Sequence, residues 1–195
     1  MYRVTAGPIL CVIDWDPSRP NQLTTLAVGS DRTDIAERKA ATALADAPGL
    51  TSWLGLPVTA RQSLVRACRP IPTLGMYCVI DDEQAVEEGD FLRCAVEDTV
   101  AQFLHRFRGW SELHIALAQP SEGLEKAVAA PLRAEGTDPR FVQDEVFPGL
   151  RRLARLSALV CRETEYRVDV PEDEDLLEIY HTYAVGSLSS AAEPW

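Results

Sequence analysis

The carboxylates are where this chain could do chemistry. The tetrapeptide CVID occurs twice, in GPILCVIDWDPSRP (Cys11 to Asp14) and in LGMYCVIDDEQAVEEGD (Cys78 to Asp81). Each copy ends an apolar run and opens onto further acids. Asp14 and Asp16 would leave one strand, and Asp81, Asp82 and Glu83 another. Sites in α/β proteins gather at the carboxyl ends of strands, where side chains leave the sheet together. Carboxylate oxygens are the hard ligands that Mg²⁺ prefers. On neighbouring strands, Asp14, Asp16, Asp81 and Asp82 would hold one or two Mg²⁺ ions for phosphoryl or phosphodiester chemistry. The competing reading is simpler: strands end where turns begin, and Asp is a favoured turn residue. On that reading the chain needs no cofactor.

Other chemistries find less in the sequence. No CxxC or HxxxH spacing exists, so a structural zinc site is not expected. GxxxxGK[ST], GxGxxG and GxSxG are absent, which removes phosphate-cradling glycines and a nucleophile elbow. Five cysteines, odd in number, widely spaced and mostly beside apolar residues, read as reduced core positions. His105 falls at the edge of an apolar helical stripe, His114 within a strand, and His181 three residues after Glu178. None has a local nucleophile signature. In GLRRLARL, Arg151, Arg152 and Arg155 share a helical face opposite Leu150, Leu153 and Leu156. That pattern reads as a solvated face over a core stripe.

The net charge of −11 is unevenly spread, with eight acids against one base between Asp81 and Asp98. A second acidic run, ETEYRVDVPEDEDLLE, lies near the C-terminus. Acidic proteins repel phosphate backbones, so general nucleic-acid binding is disfavoured. The longest apolar runs, such as LSALVC, are too short to span a bilayer. The N-terminal apolar run meets Asp14 before a signal-type core could form. The expectation is a cytoplasmic protein.

The elements that must position these residues alternate. PILCVID and LTTLAVGS predict a hairpin with a long loop over WDPSRPNQ. DRTDIAERKAATALADAPG predicts a helix stopped by Pro48-Gly49, and PVTARQSLVRACRP a second, shorter one. LGMYCVID is the next strand. A helix over 90–107 follows, with Phe91, Ala95, Val96, Val100, Phe103 and Leu104 along one side. SELHIALAQP predicts a strand, and SEGLEKAVAAPLRAEG a helix that Pro131 must kink or shorten. Residues 138–160 read as helical with a break at Pro148, 159–168 as a strand, and 172–186 as a last helix. The alternation predicts an α/β or α+β fold with a mixed sheet of about four to five strands flanked by helices. We expect one globular domain over 1–188 and a loosely ordered tail over 189–195.

The order hairpin, helix, strand, helix with an early Asp resembles ribonuclease-H-like folds. It departs from them in spacing. Only 23 residues separate Asp14 from the helix acid Glu37, room for one strand where that fold has two. MYCVIDDEQAV resembles the opening strand and acidic pair of two-component receiver domains. There the phosphate-accepting Asp ends a later strand; here Ala116 stands in LHIALAQP where that acid belongs, which excludes a working receiver.

Two functions remain. The first is a soluble, acidic interaction or regulatory module that docks on a partner protein. The alternative is a Mg²⁺-dependent enzyme acting on a phosphate-containing substrate through Asp14, Asp16, Asp81 and Asp82. The choice turns on whether the two CVID carboxylates converge.

Overall fold

A computed structural model describes residues 3–4, 7–16, 18–47, 49–80, 88–104, 107–108, 110–142, 147–164 and 185–187. A two-residue strand, β1 (Arg3–Val4), precedes the hairpin of β2 (Ile9–Asp16) and β3 (Arg19–Gly29). The predicted long loop is in fact tight. Pairing continues to Asp16 and Arg19, and the Ser18 amide donates to Asp16 Oδ1 at 2.9 Å across the turn. The Asp carboxylate holds the backbone it precedes, as turn aspartates do.

Helices α1 (Thr33–Ala43) and α2 (Val58–Cys68) lead to β4 (Gly75–Ile80). Helix α3 (Glu88–Asp98) widens into a π-helical segment over Thr99–Phe103. The helix predicted to run to Phe107 therefore ends earlier, and Phe107 lies in β5 (Phe107–Arg108), paired in parallel with β1. A local cause is visible: the Thr99 hydroxyl donates to the Ala95 carbonyl at 2.7 Å, competing for the acceptor that an α-helical amide would use.

β6 (Leu113–Leu117) and α4 (Glu122–Ala134) follow. Pro131 does not shorten α4, because it lies within a turn of an end that is capped independently. Gly136, at φ +82°, takes the left-handed conformation. It lets the Gly136 amide reach the Arg133 carbonyl and the Thr137 amide reach that of Leu132. Next come β7 (Arg140–Phe141), α5 (Pro148–Thr164) and β8 (Val185–Ser187). Pro148 opens α5 where it was expected to break a longer helix, and the first position is one that proline suits. Residues 159–164, expected as strand, continue α5, since buried Leu150, Leu153, Ala154, Ser157 and Val160 hold a helical period. Most of the helix expected over 172–186, and the tail over 189–195, lie outside the described residues.

The protein is α/β, with a mixed sheet in the order β7-β6-β2-β3-β4-β8. The β2–β3 and β3–β4 pairs are antiparallel; β2–β6, β6–β7 and β4–β8 are parallel. Both faces are covered, so β2 is apolar on both. Leu10, Val12, Leu26 and Val28 pack with Ala36, Ala40, Leu150 and Leu153 of α1 and α5. Ile9, Cys11, Leu23 and Val79 pack with Phe91, Ala95, Leu124 and Val128 of α3 and α4. No helix among the described residues is long and apolar enough to cross a membrane.

Candidate functional site

Asp14 ends the face of β2 that carries Leu10 and Val12, and it points at α5. Its side chain is only 5% exposed, and two arginines meet it there. Arg155 Nε donates to Oδ2 at 3.1 Å. Arg151, one turn earlier, brings its Nε to 4.0 Å from Oδ1, an ion pair too long for a hydrogen bond. The arginine face of GLRRLARL is thus not simply solvated. Asp14, 141 positions before Arg155, meets two of its members.

The register then decides how the two CVID segments relate. Asp14 pairs with Thr24, and Thr24 pairs with Cys78, whose sulfur accepts from the Thr24 hydroxyl at 3.5 Å. β3 therefore lies between the two CVID strands, which run in parallel about 10 Å apart at two strand spacings. Asp14 is level with the first residue of the second tetrapeptide, not with its last. Asp81 and Asp82 lie outside the described residues. Asp16 is half-buried behind the irregularity at Trp15/Asp16, and one of its oxygens is used by Ser18. Among the described residues no group of three His, Cys, Asp or Glu side chains is placed to hold a metal ion.

Glu37 has a different role. Its two oxygens accept the amides of Gly149 at 2.8 Å and Leu150 at 2.9 Å. A carboxylate on the first amides of α5 satisfies orphan donors and opposes the positive end of the helix dipole. Gly149 permits this approach: a Cβ there would lie 2.6 Å from the Ala41 amide nitrogen and 2.6 Å from the Glu37 carbonyl oxygen.

Two concavities adjoin this region. A cavity of about 320 Å³ is lined by Asp14, Asp16, Gln22, Arg152 and Arg155, with Leu156 and Leu159 as apolar wall. A larger groove of about 1130 Å³ runs between α1 and α2. Its lining includes half-buried Ala43, Leu50, Leu56, Ala60, Leu64 and Ala67. Residues 47, 49, 50 and 51 line both. The segment closing the groove is anchored from behind, where Glu163 accepts the Leu54 amide at 2.6 Å and the Ser52 hydroxyl at 3.1 Å. Trp53 beside them is fully buried. Lys39 Nζ reaches the Pro70 carbonyl at 3.0 Å and ties α1 to the far end of α2. Sequence reasoning missed this groove. Its one legible trace is charge: no Asp or Glu occurs from 47 to 80, where Arg61, Arg66 and Arg69 stand, in a chain of net charge −11.

The remaining candidate nucleophiles are quiet. Cys11, Cys68, Cys78 and Cys94 are free thiols, the first and third buried and the other two half-buried. Burial pushes the Cys11 thiol up to about 12 and that of Cys68 up to about 11, so neither supplies a thiolate near neutrality. Half-buried His114 of β6 has its Nε2 3.0 Å from Glu112 Oε2. That hydrogen bond, and next the charge of Arg140, hold the Glu112 carboxyl below its ordinary value. The side chains of Phe103, His105, Cys161 and His181 lie outside the described residues.

No family model matches the chain, and no curated protein matches it. Among solved structures it is similar to a chain of the PCNA:RNase HII complex from Archaeoglobus fulgidus, with a TM-score of 0.45 and 15% identity. The likeness covers 90% of this chain and 88% of that one. At that level it assigns no activity, and function rests on the residues described above.

Proposed function

We propose that this chain is a non-catalytic interaction module that docks on a partner protein, and that Asp14 serves its architecture. The observation that carries this reading is the ion pairing of Asp14. A catalytic metal ligand must present its oxygens to an ion, whereas Asp14 is 5% exposed and gives Oδ2 to Arg155, with Arg151 against Oδ1. A guanidinium at that distance competes with Mg²⁺ for the same lone pairs. Glu37, the α1 acid that reaches α5, is committed to the amides of Gly149 and Leu150. Asp14 and Glu37 are thus engaged in holding α5 to β2 and α1.

Thermal melts in EDTA and in Mg²⁺ separate this reading from its alternative, the Mg²⁺-dependent enzyme using Asp14, Asp16, Asp81 and Asp82. A ligand that binds only the folded state raises its stability by mass action. We expect wild type, Asp16→Asn and Asp81→Asn to respond to Mg²⁺ alike. A Mg²⁺ shift of several degrees in wild type that both variants lose would establish the enzyme reading instead.

A further inference from the structure

We propose that the groove between α1 and α2 is the docking site, and that its occupant is an acidic amphipathic helix of a partner protein. The proposal rests on the docking reading and names its site and partner chemistry. Size argues first. At about 1130 Å³ the groove lies above the range of about 300–1,000 Å³ typical of small-molecule pockets. Its wall α2 is 11 residues long, about 16 Å at a helical rise, which matches three turns of a helix laid alongside.

Surface chemistry argues next. Ala43, Ala60 and Ala67 are small enough to let another backbone approach, while Leu50, Leu56 and Leu64 offer half-buried apolar area. A helix reads such a strip with apolar residues at i, i+3, i+4 and i+7. Charge then selects the partner. Arg38 and Lys39 line the groove, and Arg66 is exposed on α2. Asp46 is the one acid among the described lining residues. The rest of the chain is strongly acidic, so an acidic helix is repelled elsewhere and drawn here.

Three fluorescein-labelled helical peptides test this, sharing one apolar stripe but flanked by Glu, Gln or Lys. Binding to the full chain is read by anisotropy. We expect the Glu peptide to bind about tenfold tighter than the Lys peptide at low salt, because complementary rim charge acts through encounter. The gap should close near 1 M salt, where the Debye length is about 3 Å. Arg38→Glu, which leaves the Lys39 tie to Pro70 in place, should reduce the preference for the Glu peptide severalfold. Ser63→Trp, an exposed groove position whose substitution leaves the core intact, should abolish binding of all three. Equal affinity for the three peptides, all lost in Ser63→Trp, overturns the acidic partner and keeps the groove as a docking site. Binding of none, or survival in Ser63→Trp, overturns the groove itself. Self-association of the chain in sedimentation, blocked by Ser63→Trp, would make a second copy the occupant and refute the acidic helix.

Discussion

Asp14 and Arg155 should behave asymmetrically on mutation, and the asymmetry follows from their exposure. Arg155→Met removes the one guanidinium, among the described residues, that is hydrogen-bonded to the 5%-exposed Asp14 carboxylate. Arg151 remains, but at 4.0 Å and without a hydrogen bond. Breaking a buried pair so that a charge is left uncompensated costs about 3–5 kcal/mol. The residual attraction of Arg151 puts this case at the lower end, about 3 kcal/mol. Asp14→Asn removes the other partner. The Arg155 side chain is 49% exposed and that of Arg151 29%, so both charges can return to water. That loss is one charge-assisted hydrogen bond, about 1.5 kcal/mol. The double variant no longer buries a charge. It should therefore be more stable than Arg155→Met alone by about 1–2 kcal/mol, which is a departure from simple addition of about 3 kcal/mol, the upper end of the coupling seen between contacting residues. Urea denaturation with unchanged slope measures all four proteins. If the two single losses simply add within about 0.5 kcal/mol, Asp14 and Arg155 are uncoupled and the architectural role given to Asp14 is wrong.

Gly149→Ala should destabilise by about 1–3 kcal/mol, the range for overpacking, because its Cβ would meet backbone atoms of α1 that have no rotamer to change. Chemical denaturation checks this, and a neutral result would mean that α1 and α5 separate freely at their crossing. Cys11 and Cys68 should resist alkylation of the native protein at pH 8, since burial keeps both protonated there; peptide mapping after a short labelling pulse reads it. Glu112 should titrate below the ordinary carboxylate range by NMR and move back up in His114→Ala, which removes the largest cause of its depression. A depressed carboxyl stabilises the fold above its unfolded-state pKa and loses that contribution as pH falls through the folded value. Any contribution of this pair therefore fades on acidification.

What the sequence determines here is local. PILCVID and MYCVI are short β-branched runs bounded by turn residues, and they are β2 and β4. The stretch after Asp31 holds helical spacing until Pro48-Gly49, and α1 lies within it. The strand-helix alternation is enough for an α/β fold with a mixed sheet. Where local signals were evenly matched, tertiary packing chose between them. Residues 159–164 could have been strand, but the stripe from Leu150 to Val160 buries against the sheet and carries the helix onward. The candidate site depended on packing altogether. Asp14 and Arg155 are 141 residues apart, and Glu37 and Gly149 are 112 apart. No periodicity spans such distances, because hydrophobic patterning specifies which face of an element is buried and not which neighbour covers it. Even the repeated CVID, the most conspicuous feature of the chain, took its meaning from pairing. Antiparallel register through β3 puts Cys78, the head of one copy, level with Asp14, the end of the other. The chain alone determined that carboxylates would end these strands. Only the packing of α5 onto the sheet determined that Asp14 would be buried against arginine.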